Sequence, residues 1–193
     1  PEEPLVNGIV NYFKENEALQ RIAILGPDKT GAQLEGSKAW AKSFMASEGI
    51  PTAAYREFTN KTRNEGIHYL DNCNLPIVLK ADGLAAGKGV IITSDRDEAK
   101  ENFNAMLDGM FGHAGNTIVI EQFLAGIEFS MFVITDGKDY ILLPEAKDYK
   151  RIGEGDTGPN TGGMGAVSPV PFLDDVLAEK VHTQIIKPTL NGL

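Results

Sequence analysis

The sequence predicts a chain of mixed α/β and α+β class, and three observations carry that prediction. Between Ala54 and Glu121 the apolar patterns run strand, helix, strand, strand, helix, strand, the layout of a small α+β lobe. Ahead of it, a helical repeat and a short β-branched run end at Gly26-Pro27, as in the tail of an α/β unit. Within the lobe, Lys80-Ala81-Asp82-Gly83-Leu84-Ala85-Ala86-Gly87-Lys88-Gly89 separates the apolar run Leu75 to Leu79 from Val90 to Thr93. A glycine-rich tip between two strands can lay backbone N–H groups and ammonium groups over an anion.

In chain order, Leu5, Val6, Ile9, Val10 and Phe13 recur at helical spacing, and Ile22 to Leu25 reads as a short strand. Ser37 is placed to cap a helix from Lys38 to about Glu48, with Trp40, Ala41, Phe44 and Met45 inward and Gly49 as its stop. After the break at Ile50-Pro51 come a strand at Ala54 to Phe58, a helix from Asn60 to Asn72, and the two strands that flank the glycine-rich tip. A helix from Arg96 to Leu107, opened by Ser94 or Asp95, precedes a strand at Thr117 to Glu121. Glu128 to Ile134, the turn Asp136-Gly137 and Tyr140 to Ala146 form a hairpin pattern. Gly153 to Pro171, rich in Gly, Pro, Thr and Asn, reads as a long loop that is either functional or disordered, and Asp174 to Lys187 is amphipathic through Val176, Leu177, Val181 and Ile185.

At 193 residues, 42% of them hydrophobic, the chain can build one large or two small domains with a real core. Its formal net charge of −9 repels polyanions, so neither nucleic acid nor an anionic membrane is an expected partner, and any bound phosphate must be held by local lysines. The single cysteine, Cys73, cannot form an internal disulfide. No apolar run approaches the roughly 18 to 20 residues of a membrane span, and no charged-then-apolar leader opens the chain. A cytoplasmic location is expected. The start at Pro1 directly into a helical pattern suggests a piece of a longer polypeptide. His68, His113 and His182 lie far apart without cysteine partners, so no metal ligands are expected, and G-x-S-x-G and Cys-His pairings are missing too.

The glycine-rich tip is not a P-loop: Asp82 stands where the first glycine of G-x-x-x-x-G-K-[ST] belongs, Gly89 follows Lys88, and a strand pattern comes next. Lys38, Lys80 and Lys88 are candidate phosphate ligands, although each alone also fits a solvated surface lysine. Glu121-Gln122-Phe123-Leu124 ends a strand, where a backbone N–H and C=O pair with a carboxylate could meet a purine edge; a solvent-facing strand end reads the same. Glu128 suits both hydroxyls of a ribose or plain exposure. In Asp156-Thr157-Gly158-Pro159-Asn160-Thr161-Gly162-Gly163-Met164-Gly165 the glycines let backbone amides crowd a small ligand, while Asp156, Thr157 and Asn160 add directional polar groups.

These residues carry a resemblance. Gly26-Pro27, Ala32 to Lys38, Ile50-Pro51-Thr52-Ala53, Lys80 to Val90, Val119 to Leu124 and Gly158 to Ala166 are similar to the phosphoribosylamine-glycine ligase family, the glycinamide ribonucleotide synthetases of the ATP-grasp superfamily. The resemblance implies an ATP-grasp fold, two α+β lobes clasping ATP. It divides the chain into the end of an N-terminal α/β domain (1–33), a linker helix (34–50), a small lobe with the glycine-rich flap (51–121) and the first part of a larger lobe (122–193). It implies ligation of glycine to 5-phosphoribosylamine through glycyl phosphate, in purine biosynthesis. Lys38 and Lys80 would then hold ATP phosphates, with Gly83, Gly87, Lys88 and Gly89 of the flap closing over them. Glu121, Gln122, Phe123 and Leu124 would receive adenine, and Glu128 the ribose. Lys150, Arg151 and the loop with Asp156, Thr157, Asn160, Thr161, Gly162, Gly163, Met164 and Gly165 would face the phosphates, the acyl phosphate and the ribosylamine. Three positions depart from the family: Ile127 replaces a carboxylate beside Glu128, Gln122 stands where Glu is common, and Tyr149 where His often precedes Lys150-Arg151. The Mg2+ (or Mn2+) of such an enzyme would find its ligands outside this chain, so the chain alone is expected to be inactive. The residues leave two alternatives: another ATP-grasp carboxylate-amine ligase, and a non-catalytic ATP-binding module.

Overall fold

The computed structural model describes residues 2–85, 89–155 and 157–193, apart from the side chains of Pro159 and Asn160. Three expected site residues, Gly87, Lys88 and Asp156, lie outside the described residues. The chain forms two compact units, residues 1–47 with 51–124, and residues 48–50 with 125–193.

In the first unit the opening helical repeat is two helices, α1 (Glu2–Val6) and α2 (Ile9–Glu15), because Gly8 between them takes a φ of 91° that no continuous right-handed helix accommodates. Ile22 to Leu25 is not the expected strand. Ile22 is 52% and Leu25 82% exposed, and none of the described strands lies beside them, so there is neither burial nor a ladder to hold an extended segment. A short helix α3 (Gln33–Gly36) leads into α4 (Lys38–Ser47), which Ser37 caps as expected by accepting from the Trp40 N–H at 3.0 Å. Then follow β1 (Tyr55–Thr59), α5 (Arg63–Asn72), β2 (Ile77–Ala81), β3 (Val90–Thr93), α6 (Arg96–Ala105) and β4 (Thr117–Gln122). Asp95, one of the two expected caps, opens α6 by accepting from the Asp97 and Glu98 N–H groups at 2.8 and 3.1 Å.

The four strands pair antiparallel in the order β1-β4-β2-β3. Alternation along each strand sends Ile77, Leu79 and Ala81 of β2 and Ile118 and Ile120 of β4 to one face. There they meet Leu70 of α5, Ala99 and Phe103 of α6, and Met106 in one buried cluster. The other face receives Val78, Lys80, Val119 and Glu121, and this alternation places the candidate polar groups together.

In the second unit the expected hairpin forms from β5 (Ser130–Thr135) and β6 (Tyr140–Gly153) around the Asp136-Gly137 turn. The expected loop Gly153 to Pro171 is instead largely a strand, β7 (Thr157–Val167), completing an antiparallel sheet β5-β6-β7. A ladder needs only N–H and C=O groups, so a run without apolar pattern can still pair. Its irregularity shows in the register, which shifts after Tyr149 and again after Arg151. The C-terminal segment divides into α7 (Asp175–Val181), a π turn (His182–Ile186) and α8 (Lys187–Gly192). Its buried contact is Ile186, whereas Val176 and Ile185 of the expected apolar face are 78% and 40% exposed. No helix among the described residues is long and apolar enough to cross a membrane.

Candidate functional site

In the first unit the pairing of β2 with β4 sets Lys80 opposite Val119 and Val78 opposite Glu121, so Lys80 and Glu121 are diagonal neighbours on one face. Lys80 Nζ lies 2.9 Å from Glu121 Oε2. The same oxygen is met at 3.1 Å by Nζ of Lys42, which projects from α4. Lys42 also donates to Thr52 Oγ1 at 2.8 Å and to the Ala53 carbonyl at 3.3 Å, and its ammonium sits over the Tyr55 ring, 5.4 Å from the centroid. Glu121 and Lys42 are both buried, whereas the Lys80 side chain keeps 29% of its exposure. A buried carboxylate is tolerated only when charge and hydrogen bonds answer it, and two ammonium groups do so here.

Asp82 binds the N-terminus of α4. Its Oδ1 accepts from the Ala39 N–H at 2.7 Å and from Ser37 Oγ at 3.0 Å, and its carbonyl accepts from the Lys38 N–H at 3.2 Å. A carboxylate there completes the exposed donors of the first turn and answers the positive end of the helix. Lys38 Nζ donates back to the carbonyls of Asp82 and Gly83 at 3.4 and 3.2 Å. Burial holds the Lys38 ammonium below the usual lysine value, against the pull of Asp82; Glu35 and Glu121 also raise it, while Lys80 lowers it further. Gly83 has Ala114 3.1 Å from where a Cβ would stand, and Gly89 has the Ala85 methyl at 2.7 Å. Lys38, Lys80, Gly83 and Glu121 therefore converge in one unit, and the Gly89 carbonyl joins them by accepting from Ala81 N–H at 2.8 Å.

The next expected residues change character quickly. Gln122 is exposed, with its N–H held by the Ala54 carbonyl at 2.9 Å; Phe123 is half-buried and Leu124 63% exposed. In the second unit Glu128 is exposed, before the start of β5. Lys150 and Arg151 lie on β6, Lys150 Nζ 3.3 Å from Asp148 Oδ2, and Arg151 in backbone register with Asn160 of β7. Thr161 Oγ1 donates to the Lys150 carbonyl at 2.8 Å and accepts from the Gly163 N–H at 3.1 Å. Thr157 Oγ1 donates to the Glu154 carbonyl at 2.8 Å. Among the described residues, nothing beyond the adjoining residues of the chain lies within 4 Å of where a Cβ would stand at Gly162, Gly163 or Gly165, and Met164 is 57% exposed, so this stretch presents open backbone. Gly163 takes a φ of 117°, which disfavours any residue with a side chain.

Sequence reasoning missed Lys42 and Asp82. Lys42 carried one signal: it lies one turn after Lys38 and beside inward-facing Ala41, on a helix face where a solvated lysine is out of place. Asp82, inside the glycine-rich run, carried none, because the partners of its side chain are more than 40 residues away in sequence.

Residues 36–193 match the family model for the phosphoribosylglycinamide synthetase ATP-grasp (A) domain. The chain is 48% identical over 194 residues to phosphoribosylamine-glycine ligase of Clostridium acetobutylicum and 48% over 193 residues to that of Fusobacterium nucleatum. All of this chain is covered in both comparisons, but only 45% and 44% of those proteins, so the chain spans less than half the length of these relatives. The crystal structure of phosphoribosylamine-glycine ligase from Thermotoga maritima superimposes on 90% of the chain with a TM-score of 0.80 at 39% identity, using 44% of that structure. The expected ATP-grasp fold is thereby met from both directions, by sequence and by the path of the backbone. With the match running from the start of α4 through the buried lysine–glutamate cluster to the end of α8, the chain belongs to the phosphoribosylglycinamide synthetase ATP-grasp family.

Proposed function

We propose that this chain is the ATP-binding part of a cytoplasmic ligase that joins glycine to 5-phosphoribosylamine. In that reaction a glycine carboxylate oxygen attacks the γ-phosphorus of ATP, and ADP leaves. The amine of 5-phosphoribosylamine then attacks the carbonyl carbon of glycyl phosphate, losing a proton as phosphate departs, and glycinamide ribonucleotide results. Such chemistry asks the protein for charge neutralisation and in-line positioning rather than for a covalent nucleophile.

The observation that carries this reading is the convergence of Lys38 and Lys80 beside the entrance to the glycine-rich turn, with Glu121 at the end of the neighbouring strand. Lys38 and Lys80 would hold phosphoryl oxygens, Gly83 to Gly89 would cover them, and Glu121 to Leu124 would take the adenine edge. Glu128 is assigned the ribose. Lys150 and Arg151 would stabilise charge on the acyl phosphate, and Asp156 to Gly165 would hold the ribosylamine through the open backbone around Thr161 and Gly163. Identity of 48% to ligases of this specificity supports the substrate assignment over another ATP-grasp carboxylate-amine ligase. Among the described residues no group of three or more His, Cys, Asp or Glu side chains is placed to hold a metal ion; a magnesium ion carried by ATP would need only one or two carboxylates beside the phosphates, and no step is assigned to it.

The test uses a full-length enzyme carrying this chain. Lys80→Ala should weaken ATP binding by about 1.5 to 3 kcal/mol, the worth of a charge-assisted phosphate contact. Unchanged affinity by calorimetry would remove Lys80 from the site. ATP binding without any ribonucleotide product from glycine and 5-phosphoribosylamine would reject the ligase in favour of a nucleotide-binding module.

A further inference from the structure

Lys42 is a buried cation to which the proposed chemistry gives no task. It lies 3.1 Å from Glu121 Oε2 and is anchored independently, through Thr52 Oγ1 at 2.8 Å and the Ala53 carbonyl at 3.3 Å, in the segment leading into β1. Lys80 shares the same carboxylate oxygen at 2.9 Å, but its side chain is 29% exposed where that of Lys42 is 8%. One cation is fixed and enclosed; the other reaches open space.

We propose that Lys42 is a positioning residue that acts through Glu121: as the standing counter-ion of that carboxylate, it lets Lys80 exchange Glu121 for a phosphoryl oxygen. The inference rests on the reading of Lys80 as a phosphate ligand. Its logic is charge accounting in a poorly solvated place. With both lysines present, the departure of Lys80 leaves a neutral Lys42–Glu121 pair. Without Lys42, the same departure strands a buried carboxylate, and removing one partner of a buried ion pair is strongly opposed. Lys80 would then stay locked to Glu121, and phosphate would have to compete with an ion pair in a low-dielectric site. Arrangement on the sheet fits this division, since Lys80 belongs to the strand that runs into the glycine-rich turn and Lys42 to the helix behind it.

The test is titration of a full-length enzyme with inorganic tripolyphosphate, which presents phosphoryl oxygens but no base for Glu121 to recognise. Lys42→Met should weaken tripolyphosphate binding about 10- to 100-fold, as expected for mobilising a cation from an otherwise uncompensated buried carboxylate. Adding Glu121→Gln should restore it, because no charge then holds Lys80 back. In the Glu121→Gln background, Lys42→Met should have no effect on affinity, and this comparison stands even where the single Lys42→Met variant does not fold. A loss of affinity that persists with Glu121→Gln present, or Lys42→Met binding like the parent, would overturn the proposal. Lys80→Ala separates the two levels: if it leaves tripolyphosphate affinity unchanged, the phosphate reading of Lys80 has failed, and if it abolishes binding while the Lys42 cycle shows no coupling to Glu121, the role of Lys42 alone has failed.

Discussion

The two sheets of this chain are both antiparallel, yet they are held by different means. In the four-stranded sheet β1-β4-β2-β3 one face is sealed by α5 and α6 around Phe58, Leu79, Phe103 and Ile120, and the other carries a buried ion cluster. In the three-stranded sheet β5-β6-β7 the cross-strand pairs Phe132–Leu143 and Ile134–Ile141 share a face and remain exposed, by 47% and 38% in the first pair and 39% and 60% in the second. Beside it, Tyr140 of β6 and His182 of the π turn are hydrogen-bonded. Stability in the first unit is thus concentrated in enclosed side chains, and in the second it rests more on backbone pairing.

Core truncation should expose this contrast most strongly. Phe103→Ala, at a side chain with no exposure, should cost about 3 to 5 kcal/mol, whereas Phe132→Ala should cost about 1 kcal/mol or less. Urea unfolding of the chain measures both, and equal losses would break the comparison. Glycines give a smaller and sharper version. A Cβ at Gly66 of α5 would stand inside van der Waals contact with the Phe103 ring, so Gly66→Ala should cost about 1 to 3 kcal/mol by overpacking, while Gly162→Ala, facing open space in β7, should stay within about 0.5 kcal/mol.

The smallest effect concerns acid. In the first unit, hydrogen bonding from Lys100 holds the Asp71 carboxyl below its ordinary range, and Arg63 does the same for Asp108. In the second, the backbone N–H groups of Lys138 and Asp139 depress Asp136, and those of Glu145 itself and Val170 depress Glu145. A carboxyl whose folded pKa is lowered adds stability that is complete above its unfolded value, near pH 4, and is lost as the pH falls through the folded value. Both units should therefore weaken slightly below about pH 4. Molar salt should erase the contribution of Asp71 and Asp108, whose partners are cations, more than that of Asp136 and Glu145, whose partners are amides. Asp→Asn and Glu→Gln variants, compared in urea at neutral and acid pH with and without salt, measure each share; identical salt responses would contradict this division.

The same contrast explains what was legible in the sequence. Hydrophobic periodicity made β1 to β4, α4 to α6 and the β5–β6 hairpin stand out, with boundaries close to those observed except that β6 continues from the expected end at Ala146 to Gly153. β7 did not, because its ladder uses glycine, threonine and asparagine and buries no apolar stripe. Ile22 to Leu25 erred in the opposite direction, an apolar run with no neighbour to pair with. Of the candidate site, Lys38, Lys80 and Glu121 could be singled out from the ends of strands and the first turn of a helix. Their mutual geometry could not, since it depends on the register that places Lys80 opposite Val119.

Asp82 has a mechanical consequence. Its side chain is fastened to Ser37 and Ala39, its carbonyl to Lys38, and its own N–H to the Thr117 carbonyl at 3.0 Å. Helix α4, the end of β2 and the start of β4 are thereby riveted at one residue, like members of a frame meeting at a single joint. Because all three elements meet at Asp82, the backbone at Lys38 and at Lys80 is held to one common point.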